Sequence, residues 1–321
     1  VNHGHDNVIN IIDHVEELDQ LTSRIEKKAK VGIRIASEEE PKFEFYTSRL
    51  GIGYRDILEF YKTKIADNDK AELKMLHFFI NTGIKDTAYY WNELRKCVNL
   101  YIDLKRLCPT LDSLNIGGGF PVKTSLGMDF DYEYLAEEII NQIKIMCGDA
   151  GVPEPHIFSE FGSFTVGESG ANFYSVLGQK MQNDRELWYM IDSSFMTTLP
   201  DSWAINKRFI MLPVNKWDKP YERVLLGGLT CDSDDYYNSE QHVNAIFLPQ
   251  IKKTDEEPLY IGFFNTGAYQ ESLAGYGGIK HCLIPSPKHV VLNMDDEGNI
   301  STQLFAPEQS SKDMLSILGY E

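Results

Sequence analysis

The sequence predicts two architectures in series: an α/β half built on a parallel sheet or barrel, then an antiparallel β half. Two observations carry this reading. Up to about residue 160, short aliphatic runs alternate with helix-patterned segments. Strands that alternate with helices pack as parallel strands with right-handed crossovers. From Ala171 onward, short strand-like runs follow one another across turn residues with little helical period, the pattern of a sandwich or β-barrel. The expected domains are therefore 1–170 and 171–321.

In the first half, strands are expected at 8–12, 31–35, 73–80, 111–116 and 156–160. The intervening helices are expected at 15–27, 54–65, 87–107 and 132–147. Each long helix shows one apolar stripe. Trp91, Leu94, Val98, Tyr101 and Leu104 lie on one face, and Leu135, Ile139, Ile143 and Met146 on another. In the second half, strands are expected at 173–177, 187–191, 209–213, 223–229, 245–248, 260–264 and 289–293, with a final helix at 312–318.

The 321 residues carry 31 Lys and Arg against 48 Asp and Glu, a net charge of −17. That argues against nucleic acid as a partner, because duplex binding relies on cations that neutralise phosphates. It suits a small cationic substrate, which a negative field draws inward. No apolar run reaches the ~20 residues that span a bilayer, so no membrane partner is expected. The first residues have neither the basic start nor the apolar stretch of a secretory leader. The five cysteines form no Cys-x-x-Cys pair, which reads as a reduced, cytoplasmic protein with no metal site.

Several short motifs can carry chemistry. Gly117, Gly118 and Gly119 follow a strand, where free amides can form a phosphate nest; a tight turn with no ligand is the ordinary alternative. Glu160 ends the last α/β strand, and strand carboxyl ends face the active site in parallel α/β folds. A carboxylate there can pair with a cationic ring nitrogen or simply cap a turn. Cys231, Asp232 and Asp234 place a thiol in an acidic turn that can receive a cation. Calcium ligation of the helix–loop–helix type is not expected, since its glycine and terminal glutamate are absent. Tyr269 follows small residues and can send its hydroxyl to a phosphate. His77 lies within a strand, where a satisfied core histidine is the commoner outcome.

The order of these motifs resembles the pyridoxal-phosphate decarboxylases of the alanine-racemase-like barrel group. Ser48-Arg49-Leu50-Gly51, the strand from Leu76 to Gly83, Gly117-Gly118-Gly119-Phe120, Glu160-Phe161-Gly162, Cys231-Asp232-Ser233-Asp234 and Gly267-Ala268-Tyr269-Gln270-Glu271 occur in the family's order. Leu199-Pro200-Asp201-Ser202-Trp203-Ala204 points to the biosynthetic arginine decarboxylases within it. The resemblance implies a TIM-like (β/α)8 barrel, of which the five α/β strands match the last five, followed by the β domain. It implies pyridoxal 5'-phosphate as cofactor. Glu160 then pairs with the pyridine nitrogen. The three glycine amides hold the phosphate, helped by the hydroxyls of Tyr269 and Thr82, with His77 and Phe79 at the cofactor. Cys231 protonates the carbon that has lost carbon dioxide, and Asp232 and Asp234 bind the cationic end of the substrate. In the family the residues matched by Cys231 and Asp232 reach the partner subunit's site, so a homodimer is implied.

The resemblance has four departures. Phe79 stands where the family stacks a histidine on the cofactor, Ser163 where most relatives have an arginine, and Asn81 where they have a glycine. The family's Schiff-base lysine lies on its first barrel strand, and no lysine here matches it; Lys74 and Lys180 fit no motif. Some roughly 150–180 residues, about one domain's worth, are expected upstream. The 321 residues alone are therefore expected to be inactive. The reading implied is arginine decarboxylation to agmatine for polyamine synthesis. The alternatives are decarboxylation of diaminopimelate or carboxynorspermidine, or a non-catalytic binding relative.

Overall fold

The computed structural model describes residues 2–5, 7–38, 47–275 and 277–320. The chain divides into two compact units, Val1–Pro121 with Asp129–Phe164, and Val122–Met128 with Thr165–Glu321. The division is thus drawn at Phe164, a few residues before the expected 170, with one earlier excursion. That excursion is held inside the second unit. The Asn265 side chain donates to the Lys123 carbonyl at 2.9 Å, and Val122 packs on Gly167.

The first unit runs β1 (Ile9–Ile12), α1 (Val15–Arg24), β2 (Ala29–Ala36), β3 (Ile52–Gly53), α2 (Ile57–Phe60), β4 (Ala71–Phe78), α3 (Ala88–Leu107), β5 (Ser113–Asn115), α4 (Tyr132–Ala150) and β6 (His156–Phe158). A π-turn at Tyr61–Ile65 prolongs α2 to the end of the expected helix. The strands form one parallel sheet in the order β1-β2-β4-β5-β6, with β3 paired to β2. All five expected strands and their helices are present. Only β3 was not foreseen, because two residues carry no period.

Helix ends follow local chemistry. Thr87 Oγ1 accepts from the Tyr90 amide at 3.2 Å and Asp131 Oδ1 from the Tyr134 amide at 2.9 Å, which satisfies first-turn donors. The fourth helix runs three residues past the expected 147, to Ala150, where left-handed Gly151 (φ 65°) closes it. The first helix ends early, at Arg24, because Ile25 turns extended and goes into the interior. The core beneath the helices contains Leu18, Ile33, Ile35, Leu73, Leu94, Val98, Tyr101 and Leu114.

The short α5 (Gly162–Val166) crosses the division. The second unit continues with β7 (Ala171–Gln182), β8 (Glu186–Ile191), α6 (Phe195–Thr198), α7 (Pro200–Ala204), β9 (Ile210–Pro213), β10 (Tyr221–Gly227), β11 (Tyr236–Tyr237), β12 (Ile246–Pro249), β13 (Tyr260–Phe264), α8 (Gln270–Leu273), β14 (His289–Met294), β15 (Ile300–Ala306) and α9 (Ser311–Ile317). Its main sheet has the order β11-β10-β8-β7-β13-β9, with β12 on β10, and β14–β15 form a separate ribbon. Pairing is antiparallel except between β8 and β10, which run parallel because α6, α7 and β9 cross over between them. Tyr174, Phe195, Tyr237 and Phe263 make an aromatic core with ring centroids 5.0–5.8 Å apart. Among the described residues no helix is long and apolar enough to cross a membrane.

Leu114, at the centre of β5, is wholly buried. Leu114→Ala leaves a cavity and is expected to lower stability by about 2–5 kcal/mol in urea unfolding followed by far-UV circular dichroism.

Candidate active site

Parallel pairing puts a row of polar side chains across the carboxyl ends of the first sheet. Arg34 is in register with His77, and His77 with Asn115. In-register neighbours point to the same face. Asp13, one residue past β1, lies 3.8 Å from the Arg34 guanidinium. Glu160, two residues past β6, completes the row. Its Oε1 accepts from Asn115 Nδ2 at 3.1 Å and lies 3.3 Å from His77 Nε2. Asn115 Oδ1 in turn accepts from the Gly117 amide at 2.8 Å, and the Gly117 carbonyl accepts from the Glu160 amide at 2.9 Å. Glu160 is thus fixed at backbone and side chain, while half of its side-chain surface stays open (53%).

His77 is 7% exposed. Its contact with Glu160 is poorly aligned for a hydrogen bond, and Nδ1 has no partner among the described residues. Burial pushes the imidazole pKa below its ordinary 6.5, and the Arg34 cation adds to this; Glu160 and Asp13 oppose it with smaller effect. The ring is therefore neutral at pH 7.

The glycine run is required by backbone approach. Gly117 (φ 71°) would place a Cβ 2.5 Å from the Phe78 carbonyl oxygen, and Gly119 (φ 96°) would place one 2.6 Å from Gly83 Cα. No side chain fits either position. The Ile84 amide donates to the Gly119 carbonyl at 3.0 Å, so the turn carrying Thr82 backs onto the glycine run. The half-buried Phe79 lies beside Gly117, and its carbonyl is held by Ser37 Oγ at 2.7 Å. The amides of Gly118 and Gly119 donate to no group among the described residues. Glu160, His77, Phe79, Thr82 and the three glycines are thus drawn together in the first unit. Asp13, Arg34 and Asn115 belong with them and were not foreseen. Their signal was positional: each stands within two residues of the carboxyl end of a strand.

Tyr269, Cys231, Asp232 and Asp234 belong to the second unit. Their turn hangs on Asp235, which is buried and accepts from the Phe195 amide (2.8 Å), the Thr230 amide (3.0 Å) and the Thr230 hydroxyl (2.6 Å). Asp232 is half-buried and accepts from the Asp234 amide at 2.9 Å; Asp234 itself is exposed. The exposed Cys231 has Sγ 3.6 Å from Cys282 Sγ, and that neighbour raises its pKa above 9.0. Tyr269 is 58% exposed with φ 69°, a costly conformation for an aromatic residue. Directly after it, Gln270 Nε2 donates to the buried Asp201 at 2.7 Å, which joins two motifs 69 residues apart.

Residues 3–167 match the family described as "Pyridoxal-dependent decarboxylase, pyridoxal binding domain". The chain belongs to this family. Its similarity to known members extends through both units. A biosynthetic arginine decarboxylase of Prochlorococcus marinus is 24% identical over 427 residues, covering 98% of this chain and 65% of the relative. The solved biosynthetic arginine decarboxylase of Campylobacter jejuni superposes with TM-score 0.77 at 19% identity, over 99% of this chain and 66% of that one. A diaminopimelate decarboxylase of Helicobacter pylori gives 0.74 at 18% identity, over 96% and 72%. The chain thus spans somewhat less than two thirds of the first two. The matched span with the Prochlorococcus protein is longer than this chain, so the relative carries insertions within it.

Pyridoxal phosphate is the cofactor of this decarboxylase family, and the residues of the first unit fit such a group. Two undirected amides at a left-handed glycine run suit a phosphate. A fixed carboxylate with Oε2 uncommitted among the described residues suits a protonated ring nitrogen, and an orphaned imidazole nitrogen waits beside it.

The buried His77 makes stability depend on pH. Its unfolded pKa is 6.5 and its folded value is lower, so the unfolded chain binds more protons between the two. Stability is full above pH 6.5 and falls as pH drops toward the folded value. Thermal midpoints from pH 8 to 5 are expected to decline below about 6.5. His77→Gln flattens that decline.

Proposed function

We propose that this chain forms the cofactor-holding and substrate-selecting part of a decarboxylase acting on a basic amino acid, and that the amino acid is arginine, giving agmatine for polyamine synthesis. The observation that carries the reading is Glu160, fixed by Asn115 and Gly117 beside two glycine amides, of Gly118 and Gly119, that donate to no group among the described residues. When bound, pyridoxal phosphate supplies an electron-withdrawing ring that stabilises the pair left when the carboxylate departs as carbon dioxide.

The lysine apart, the remaining roles are assigned to groups of this chain. Glu160 holds a proton on the pyridine nitrogen. Gly118 and Gly119 bind phosphate through their amides, while the Gly117 amide, expected to join them, is taken by Asn115 Oδ1; Thr82 and Tyr269 keep the hydroxyl roles the resemblance gives them. Neutral His77 and Phe79 orient the ring. The raised pKa of Cys231 keeps its thiol protonated at pH 7, the form that can deliver a proton to the substrate carbon. Asp232 and Asp234 receive the guanidinium, in a protein whose net charge of −17 favours cations. The assembly proposed is a homodimer in which Cys231 and Asp232 serve the partner's site. Arginine is favoured by the stretch Leu199-Pro200-Asp201-Ser202-Trp203-Ala204 and by the names of the sequence relatives. Diaminopimelate is the second reading, favoured by the likeness to its solved decarboxylases.

Among the described residues no lysine stands in the polar row of the first sheet. Lys74, the nearest candidate, pairs with Glu72 at 2.9 Å and Asp112 at 3.5 Å. Residues 1–321 produced alone are therefore proposed to bind the cofactor reversibly without releasing carbon dioxide. Carbon dioxide release from arginine, lysine, ornithine and diaminopimelate, measured on the enzyme purified from its natural source, tests the substrate. Arginine is expected to have the highest kcat/KM, and preference for another member of the panel overturns that choice.

In the same enzyme Glu160→Gln is expected to lower kcat by about 10²–10³, because a neutral amide cannot keep the ring nitrogen protonated. A loss under threefold removes the role given to Glu160. Asp232→Ala is expected to raise KM for arginine with little change in kcat, whereas Cys231→Ala lowers kcat, since one group binds in both ground and transition states and the other acts on the reacting carbon.

A further inference from the structure

The second unit sets beside Cys231 two groups, His281 and Cys282, that the proposed reaction does not use. Cys231, His281 and Cys282 place their ligand atoms all within 4.8 Å of one another. The two thiol sulfurs are 3.6 Å apart. Zinc–thiolate bonds of about 2.3 Å set sulfurs roughly 3.8 Å apart on a tetrahedral edge. Asp232 Oδ2 lies 3.7 Å from His281 Nε2, the carboxylate partner that metal-ligating histidines commonly have.

Both loops that carry these groups are anchored from below. The Cys231 turn hangs on the buried Asp235. The His281 turn follows Lys280, whose wholly buried ammonium bonds Glu271 at 3.0 Å and the Thr197 carbonyl at 3.4 Å. Cys282 has φ 52°, a backbone conformation a cysteine keeps only where its surroundings hold it. Ligand atoms on anchored loops lose little freedom on binding.

We propose that Cys231, His281 and Cys282 form a three-ligand site for a soft divalent cation of the zinc class, with a fourth position open to water. This replaces the expectation that the chain has no metal site. Two thiols and an imidazole select such an ion over magnesium or calcium, which take oxygen donors. The two thiol protons leave to solvent as the ion binds. Its consequence rests on the proposed function: a cation on Cys231 removes the proton that this thiol delivers, so the bound metal holds the enzyme inactive.

The test uses reduced, chelator-stripped protein titrated with cobalt(II) alone and then with zinc(II) alone. Thiolate-to-cobalt charge-transfer absorption is expected to saturate at one ion per chain and to vanish on addition of zinc. Cys282→Ser is expected to abolish the band and His281→Gln to weaken binding at least tenfold. Both variants keep the parent's metal-free unfolding midpoint. Absence of the band, its survival in Cys282→Ser, or recovery of a Cys231–Cys282 disulfide from reduced, zinc-exposed protein overturns the site. Zinc is expected to inhibit decarboxylation by the parent enzyme but not by Cys282→Ser. An intact cobalt band without zinc inhibition keeps the site and removes the proton-donor role of Cys231.

Discussion

Three backbone segments meet at the carboxyl ends of β4, β5 and β6, and the candidate active site depends on how closely they approach. Gly117 touches the Phe78 carbonyl, Gly118 touches Glu160 and Gly119 touches Gly83. Only residues without a side chain allow this, so the run of three glycines is a packing requirement before it is a ligand motif. Its second effect follows from the first. The Gly117 carbonyl is consumed by the Glu160 amide, while the amides of Gly118 and Gly119 face no internal acceptor among the described residues. The close contact thus fixes a carboxylate and leaves donors for an anion.

Electrostatics in the first unit work as a chain of alternating partners. Asp13 faces Arg34, Arg34 stands beside His77, and His77 and Asn115 converge on Glu160. Parallel register makes the chain possible, because one residue per strand falls on the same level of the same face. Burial decides the protonation of His77 against its acidic neighbours. A cation at that position would compete for the Glu160 carboxylate, whereas a neutral ring leaves it free.

The second unit uses a different device. A single buried carboxylate, Asp235, ties three donors and so positions the turn that presents Cys231 and Asp232. The aspartates of that turn divide the work: Asp235 holds the fold, and Asp232 and Asp234 remain available. Asp201 and Gln270 repeat the pattern, a buried pair beneath the loop of Tyr269.

The sequence by itself determined the alternation of strand and helix and the change to β structure near residue 170, and it singled out Glu160 and the glycine run as candidates. Period, glycine placement and motif order are local properties, and they survive without knowledge of neighbours. Tertiary structure alone decided which residues join them. Arg34 and Asn115 are ordinary polar residues in their own strands and enter the site only through register with His77. Cys282 and His281 lie some fifty residues from Cys231 and meet it only after folding, so no spacing rule announced a metal-ligand set. Asp235 could not be told from Asp234 in sequence, since burial, a property of the folded chain, separates the anchor from the exposed acid.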